Sequence, residues 1–457
     1  MTQGRNSALA GLICAALLLP AAVGAQTLQD ALVKAYLSNP SLLSARARLR
    51  VTDEGVAQAL AGWRPTVSVD LTAGKAFTET AGGSRASGGK QNRSPRTGSI
   101  SLEENIYEGG GTVSAVEQAE SDVLAERSRL HGIEQETLLA AATAYVDVVR
   151  DREVLKLNIN NERVLQRQLE ATRDRFGVGE VTRTDVAQAE SRLSRAQSDQ
   201  IVADGNLIAS RAAYRNSIGD APGRLRVPEA LGDLPKTEEE AIELARYKSA
   251  GVITAHFAER AAGHAIDAAH SDLLPTVDVE ASANRRRETS SNSSDTKNVQ
   301  VLLVVRVPLY QAGGVSSRIR EARQFNSLRR RELDRSVRDA IESATRAWQA
   351  LTTARSRIKA FTSQVRAAGI ALDGVNQEAQ VGSRTVLDVL DAEQEMLDAR
   401  VNLVRAQRDD VVASFELRQA GGSLTAQRLG LPVEIYDFDR HYKSIRNRWY
   451  GWKIDKE

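Results

Sequence analysis

The sequence predicts a mainly α-helical protein with a small β part, in which one unit of short helices, a β-hairpin and a pair of long helices is written twice. Three observations carry this reading. Phrases recur at a fixed distance, two eight-residue stretches alternate strictly between apolar and polar side chains, and no proline occurs between Pro95 and Pro222 or between Pro308 and Pro432. Residue usage agrees: aromatics are only 4% while Ala, Arg, Glu, Gln and Leu dominate, as in long helices and coiled coils.

The duplication is direct. "WRPTVSVD" at Trp63 aligns with "LLPTVDVE" at Leu273, so that Pro65 falls on Pro275 at an offset of 210 residues. "IYEGGG" aligns with "LYQAGG", and Tyr107 falls on Tyr310 at an offset of 203. The same offset of 203 places Tyr145 on Trp348, Gly179 on Gly382, Asp185 on Asp388 and Glu190 on Glu393. The difference in length is confined between the Pro-Thr-Val and Tyr-x-x-Gly-Gly segments, as expected of a surface loop. The chain therefore divides into residues 1–25, a first repeat at 26–232, a second at 233–421, and a carboxyl-terminal segment at 422–457.

Residues 1–25 read as a secretory signal peptide: Arg5, the apolar run "ALAGLICAALLLPAAV", then small residues from Val23 to Ala25. Cys14 is the single cysteine and lies within that run, preceded by Leu12 and Ile13 rather than by the small residues of a lipoprotein anchor. Cleavage after Ala25 leaves a chain without disulfides or thiol chemistry. No later apolar run approaches the ~20 residues of a membrane helix. An exported chain of this kind meets a membrane with strands.

Short helices are expected at 28–62 and 237–272, leading into β-hairpins at 65–107 and 275–310. In the first hairpin Val67, Val69, Leu71 and Ala73 share one face; in the second Val277, Val279, Ala281 and Ala283 do. The return strands are placed at Thr97–Tyr107 and Asn298–Leu309, with Val299, Val301, Leu303, Val305 and Val307 on one face. The intervening loops, "ETAGGSRASGGKQNRSPR" and "RRRETSSNSSDTK", are polar and basic. Strands of about ten residues span a bilayer when tilted. Four of them cannot close a barrel, whereas two or three copies of the chain can, and an open edge in lipid is excluded by its unpaired backbone groups. Alternation alone also permits a soluble sheet packed on one face.

Long helices are expected at 112–177 and 183–217 in the first repeat, within 112–217, and at 315–380 and 386–420 in the second, within 315–420. A 65-residue rod is ~98 Å long and can pack only on rods of similar length. Val337, Ile341, Ala344, Trp348 and Leu351 follow the 4-3-4-3 spacing of a coiled-coil seam, as do Leu138, Ala141, Tyr145 and Val148.

Each long pair turns on a repeated phrase, "VGEVTRTDVAQAE" from Val178 and "VGSRTVLDVLDAE" from Val381. Gly179 and Gly382 suit the left-handed position past a helix end. Thr182 and Thr385 stand three residues before Asp185 and Asp388, the spacing of a capping box. The letters that do not repeat single out the second turn: Arg384 stands where the first has Val181, and Asp391 where it has Gln188. Asp388 and Asp391 then share one helical face.

Function classes narrow accordingly. Charged residues make up 26% of the chain at a net charge of only +2, so interleaved charges describe solvated helices and not a nucleic-acid surface. The five histidines show no paired metal spacing, and no nucleophile elbow or phosphate loop occurs. No enzyme activity, metal or cofactor is expected. A periplasmic coiled-coil spacer or adaptor is the alternative to a membrane conduit.

The signal peptide, the hairpins feeding long helices through "YEGGG" and "YQAGG", and "VGSRTVLDVLDAE" together resemble the TolC-type outer-membrane channel family. The carboxyl-terminal "QRLGLPVEIYDFDRHYKSIRNRWYGW" is similar to the branch associated with type I secretion. The resemblance implies a homotrimer in which four strands from each chain close a twelve-stranded outer-membrane barrel, continued by a helical tunnel across the periplasm. It implies a passive exit duct for type I protein secretion or drug efflux. Its implied partners are a periplasmic adaptor, an inner-membrane ABC or RND transporter, and outer-membrane lipid. Gly109, Gly110, Gly313 and Gly314 become the strand-to-helix elbows. The helical turns become the periplasmic gate, with Arg384 paired to Asp185 in the closed state and Asp388 and Asp391 lining the constriction as cation-favouring rings. Carboxylates placed so closely repel one another, which raises some of their apparent pKa values. Ala379 departs from the family, where a tyrosine often adds a closed-state contact, and implies a leakier resting state.

Overall fold

In a computed structural model, residues 26–79 and 90–453 are described; the signal peptide assigned to residues 1–25 lies outside them. Helices α1 (Leu28–Ser38) and α2 (Pro40–Leu60) lead through a short 3-10 turn, Ala61–Trp63, into strand β1 (Thr66–Ala73). Asn39 caps α2, whose first residue is proline, a position where the missing N–H costs nothing. Strands β2 (Ala76–Glu79), β3 (Lys90–Arg93) and β4 (Arg96–Glu108) complete the first hairpin, followed by α3 (Gly111–Gly177) and α4 (Arg183–Ile218). The second repeat supplies α5 (Glu238–Lys248), α6 (Ala250–Ser271), β5 (Thr276–Arg287), β6 (Asp295–Arg306), α7 (Gly314–Gln380) and α8 (Val386–Ala420). A short α9 (Phe438–Ile445) lies near the carboxyl end.

The four long strands form one antiparallel sheet in the order β1-β4-β5-β6, and β2 with β3 extends the first hairpin beyond it. This extension takes up the additional length of the first repeat. Strand β6 begins at Asp295 and stops at Arg306, short of the expected Leu309, because Pro308 has no N–H to continue the ladder.

The register sorts the side chains. Residues directly opposite share a face, so Val67, Leu102, Ala281 and Val301 form one row across the sheet, and Val69, Ile100, Ala283 and Val299 form another. The opposite face carries the rows Ser68, Ser101, Ser282, Gln300 and Asp70, Ser99, Asn284, Asn298. Across these central rows one face is apolar and the other polar, while Glu104, Arg285 and Lys297 put charge at the two ends of the apolar face; within the chain Val67, Val69, Leu71, Val299, Val301 and Leu303 are exposed. No helix among the described residues is long and apolar enough to cross a membrane.

Helices α3 and α7 each contain 67 residues, about 100 Å of rod. They fold back on α4 and α8 as antiparallel hairpins, and α3 also packs on α2, α6 and α8. The two long helices are not equivalent in burial. Helix α3 is central, with Leu138, Ala141, Tyr145 and Val148 of its seam all buried. Helix α7 buries only Val315, Ile319, Leu351 and five alanines, which leaves most of its surface without a partner in one chain.

The main core lies where α1, α2, α3, the ends of α4 and α8 and the carboxyl-terminal segment meet. The Tyr145 hydroxyl sits there between the carbonyl oxygens of Gln26 and Arg226, at 2.7 and 2.8 Å. It ties the start of the described chain and the connector between repeats to the middle of α3. Burial pushes this phenol up to about 12, so it remains a donor at every physiological pH.

At the strand-to-helix elbows, Gly109 and Gly110 have φ of +58° and +86°, and Gly313 has +78°. Gly314 is the first residue of α7 and does not bend the chain, which corrects its assignment as an elbow. The position equivalent to Gly109 is Ala312, left-handed at φ +51°. A Cβ on Gly109 would come within 2.6 Å of the Leu274 Cβ and 2.8 Å of the Ser271 carbonyl oxygen, whereas one on Gly314 would meet nothing within 4 Å. Gly109→Ala is accordingly expected to cost about 1–3 kcal/mol and Gly314→Ala to be neutral or slightly stabilising; thermal unfolding of the purified protein in detergent reads both.

Candidate functional site

The two helical turns at the far end from the sheet hold the sequence-predicted residues. In the first, α3 ends at Gly177 and Gly179 is left-handed at φ +83°. The N–H groups of Gly179 and Glu180 donate back to the carbonyls of Phe176 and Arg175, at 3.0 and 2.9 Å, and close the helix end. Thr182 then starts α4 with a complete capping box. Its hydroxyl accepts from the Asp185 N–H at 3.3 Å, while its own N–H donates to Asp185 Oδ2 at 2.8 Å.

The second turn repeats this chemistry. Gly382 is left-handed at φ +81°, and its N–H donates to the Ala379 carbonyl at 3.2 Å. Thr385 caps α8: its N–H and hydroxyl both donate to Asp388 Oδ2, at 2.9 and 2.8 Å. Asp185 and Asp388 are therefore structural carboxylates within their own turns. The backbone hydrogen bond from Thr182 or Thr385 is the first cause that holds each below the ordinary aspartate value, with the threonine hydroxyl second. Within one chain, then, Asp388 shifts opposite to the rise expected from repulsion in a ring.

The Arg384–Asp185 pair is not made within the chain. The Arg384 Nε donates to Glu378 Oε2 at 2.7 Å, across its own turn, while Asp185 is occupied by Thr182. A local partner six residues away needs no ordering of a second hairpin, which is why it is taken first. Asp391 is likewise not a bare ring carboxylate: its Oδ1 meets Nη2 of Arg192 on α4 at 2.5 Å.

That contact is one part of a joint between the hairpins that sequence reasoning missed. Val386 and Leu390 of α8 are buried against Leu165 and Leu169 of α3 and Ala189 and Ala196 of α4. The second turn thus lies sideways on the first hairpin, with apolar side chains inside and the Arg192–Asp391 pair at the edge. Comparison of the repeats held a signal for Arg192, since the offset of 203 sets it against Glu395, a reversal of charge. Half-buried Glu393 belongs to the same region; burial pushes its carboxyl up, opposed by Arg400 and Arg167.

A family model described as outer membrane efflux protein matches the chain twice, over residues 31–220 and 241–423. The outer membrane efflux protein BepC of Brucella suis biovar 1 (strain 1330) is 36% identical over 448 residues, covering 97% of this chain and 96% of that one. The outer membrane protein TolC of Vibrio cholerae serotype O1 (strain ATCC 39315 / El Tor Inaba N16961) is 26% identical over 423 residues, covering 90% and 93%. Among solved structures, the Campylobacter jejuni CmeC outer membrane channel superposes with a TM-score of 0.80 at 14% identity, covering 92% of this chain and 89% of that one.

The caps make a pH prediction with a definite sign. A carboxylate depressed in the folded state contributes fully above its unfolded value, here near 3.8, and loses that contribution as pH falls through the folded value. Protection of the turn amides is therefore expected to be flat from neutral pH to about pH 5 and to fall only in stronger acid. Thr182→Ala should remove about 1 kcal/mol of local protection, a roughly fivefold faster exchange of the Asp185 amide at neutral pH by hydrogen-exchange measurement.

Proposed function

This chain belongs to the outer membrane efflux protein family, and from that premise we propose that it is the passive exit duct of a tripartite export machine, without chemistry of its own. Channels of this family are trimers in which an α-barrel continues an outer-membrane β-barrel into the periplasm, and they work with adaptor and inner-membrane transporter proteins. The observation that carries the proposal is the sheet: four strands, apolar on one face and polar on the other, with both outer edges open. Such a sheet is stable in lipid only when β1 of one copy and β6 of another pair, because each unpaired backbone group costs several kcal/mol there. The polar rows then line the passage and the apolar rows meet lipid. A periplasmic spacer has no use for that face.

The partners proposed are a periplasmic adaptor and an inner-membrane ABC or RND transporter. Likeness of the carboxyl-terminal segment to the type I branch favours protein export as the work of the duct. The gate is assigned to the helical turns. Arg384 and Asp185, parted within one chain, are proposed to meet between neighbouring copies, with Asp388 and Asp391 facing the constriction. Within each chain Arg192–Asp391 holds the second hairpin against the first. An exposed pair of this kind contributes at most about 1 kcal/mol, so three copies give a latch that a docked partner can release through differential contacts. Ala379 removes a further contact and favours a leakier closed state.

Planar-bilayer recording tests this assignment. Arg192→Ala is expected to raise the resting conductance, and the swapped pair Arg192→Asp with Asp391→Arg to return it towards the wild-type value. Asp388→Asn with Asp391→Asn should lower the preference for cations. Unchanged conductance and selectivity across all three variants would remove the turns from the gate.

A further inference from the structure

The carboxyl-terminal segment leads to a surface that gating does not use. Helix α9 is stapled to α2 and α3 by three contacts. His441 Nδ1 lies 3.0 Å from Oδ2 of Asp53, a carboxylate only 1% exposed. Arg127 of α3 meets Asp439 at 2.8 Å. Further along, the Tyr442 hydroxyl and the Arg446 guanidinium both reach Glu120 Oε1, at 3.2 and 3.1 Å. From Arg127 to Glu120 the contacts move seven residues, about 10 Å, towards the strand end of α3. The tail thus runs up the helices to the sheet.

Residues 446–453 lie at the junction of helix and strand. Arg64, which precedes Pro65 and β1, donates through Nη1 to the Arg448 carbonyl at 2.7 Å and through Nη2 to that of Arg446 at 3.4 Å. Its guanidinium also lies 5.3 Å from the ring centroid of Trp449. Beyond this anchor the chain turns back: Arg448 Nη1 reaches the Lys453 carbonyl at 3.1 Å, and Gly451 takes φ +111°. The loop carries Trp449, Tyr450 and Trp452, which are 66%, 91% and 95% exposed.

Each of the other chain crossings at this level also exposes large apolar or aromatic side chains: Trp63 before β1, Tyr107 at the end of β4, Leu273 and Leu274 before β5, and Leu309 and Tyr310 after β6. The apolar rows of the sheet begin directly beyond. Tryptophan and tyrosine concentrate at membrane–water interfaces, where the ring reaches apolar chains while the N–H or O–H stays among headgroups. Arg448 and Lys453 flank the aromatics with positive charge that suits lipid phosphate.

We propose that the 448–453 loop, held against Arg64, is a foot that inserts Trp449, Tyr450 and Trp452 into the headgroup layer of the outer membrane's periplasmic leaflet. Its occupant is phospholipid, and the surface continues the lipid-facing side of the barrel. The inference rests on the outer-membrane location but not on the gate assignment.

The test uses the assembled protein in phosphatidylethanolamine–phosphatidylglycerol vesicles. One variant, Trp63→Phe with Trp348→Phe and Trp449→Phe, keeps Trp452 as its only tryptophan; a second keeps only Trp348, on α7 in the periplasmic region. In vesicles of phospholipid brominated near the headgroup, Trp452 is expected to lose most of its emission and Trp348 almost none, with Trp452 shielded from aqueous acrylamide. Quenching of Trp452 by acrylamide and not by bromolipid overturns the proposal, as does shielding from both, which places protein over the loop. As a second measurement, Trp449→Ser with Tyr450→Ser and Trp452→Ser should insert into preformed vesicles severalfold more slowly while keeping wild-type single-channel conductance. Equal insertion rates count against the foot. Loss of conductance in the wild-type protein would instead strike at the duct itself.

Discussion

The constraint on which the rest depends is the pair of open edges of a four-stranded sheet whose one face is apolar. In water those edges could bind solvent, but beside lipid their N–H and C=O groups have nothing to bond except the matching edge of another copy. Closure by rotation follows, and it dictates the remainder. The four chain crossings at the rim must fall on one circle, so the helices that continue them stand side by side as staves. Helix α7 reflects this: a 67-residue rod with one narrow buried stripe is stable only when neighbours cover the rest.

At the other end the two helical turns are closed by the same local chemistry. Each uses a left-handed glycine to close one helix and a threonine–aspartate box to open the next. That commits Asp185 and Asp388 to local work and leaves movable contacts between hairpins. Arg192–Asp391 and the apolar joint of Val386 and Leu390 differ in kind: the ion pair breaks in water at little cost, whereas separating the apolar joint exposes surface.

Burial is concentrated away from both the helical turns and the sheet. The largest core gathers α1, α2, α3 and the carboxyl-terminal segment around Tyr145, Tyr214 and Phe415, where buried side chains have partners from one chain alone. This collar does not depend on the trimer for its packing. It also fixes the path of the tail, since the Asp53–His441 contact and Glu120 direct residues 446–453 to the rim.

Features governed by short-range chemistry are legible in the residues alone. Strict alternation located β1 at Thr66–Ala73, and glycine and threonine located the turns, because the physics of a strand face or a cap acts within a few residues. Alternation runs on past the end of β6 at Arg306, because Val307 keeps the pattern while Pro308 ends the ladder. The tertiary structure alone decided which charges meet. Asp391 finds Arg192 across 199 residues, and Arg446 finds Glu120 across 326. Many arginines and carboxylates on solvated helices are equivalent as letters, and only the packing of one rod on another brings a particular two together.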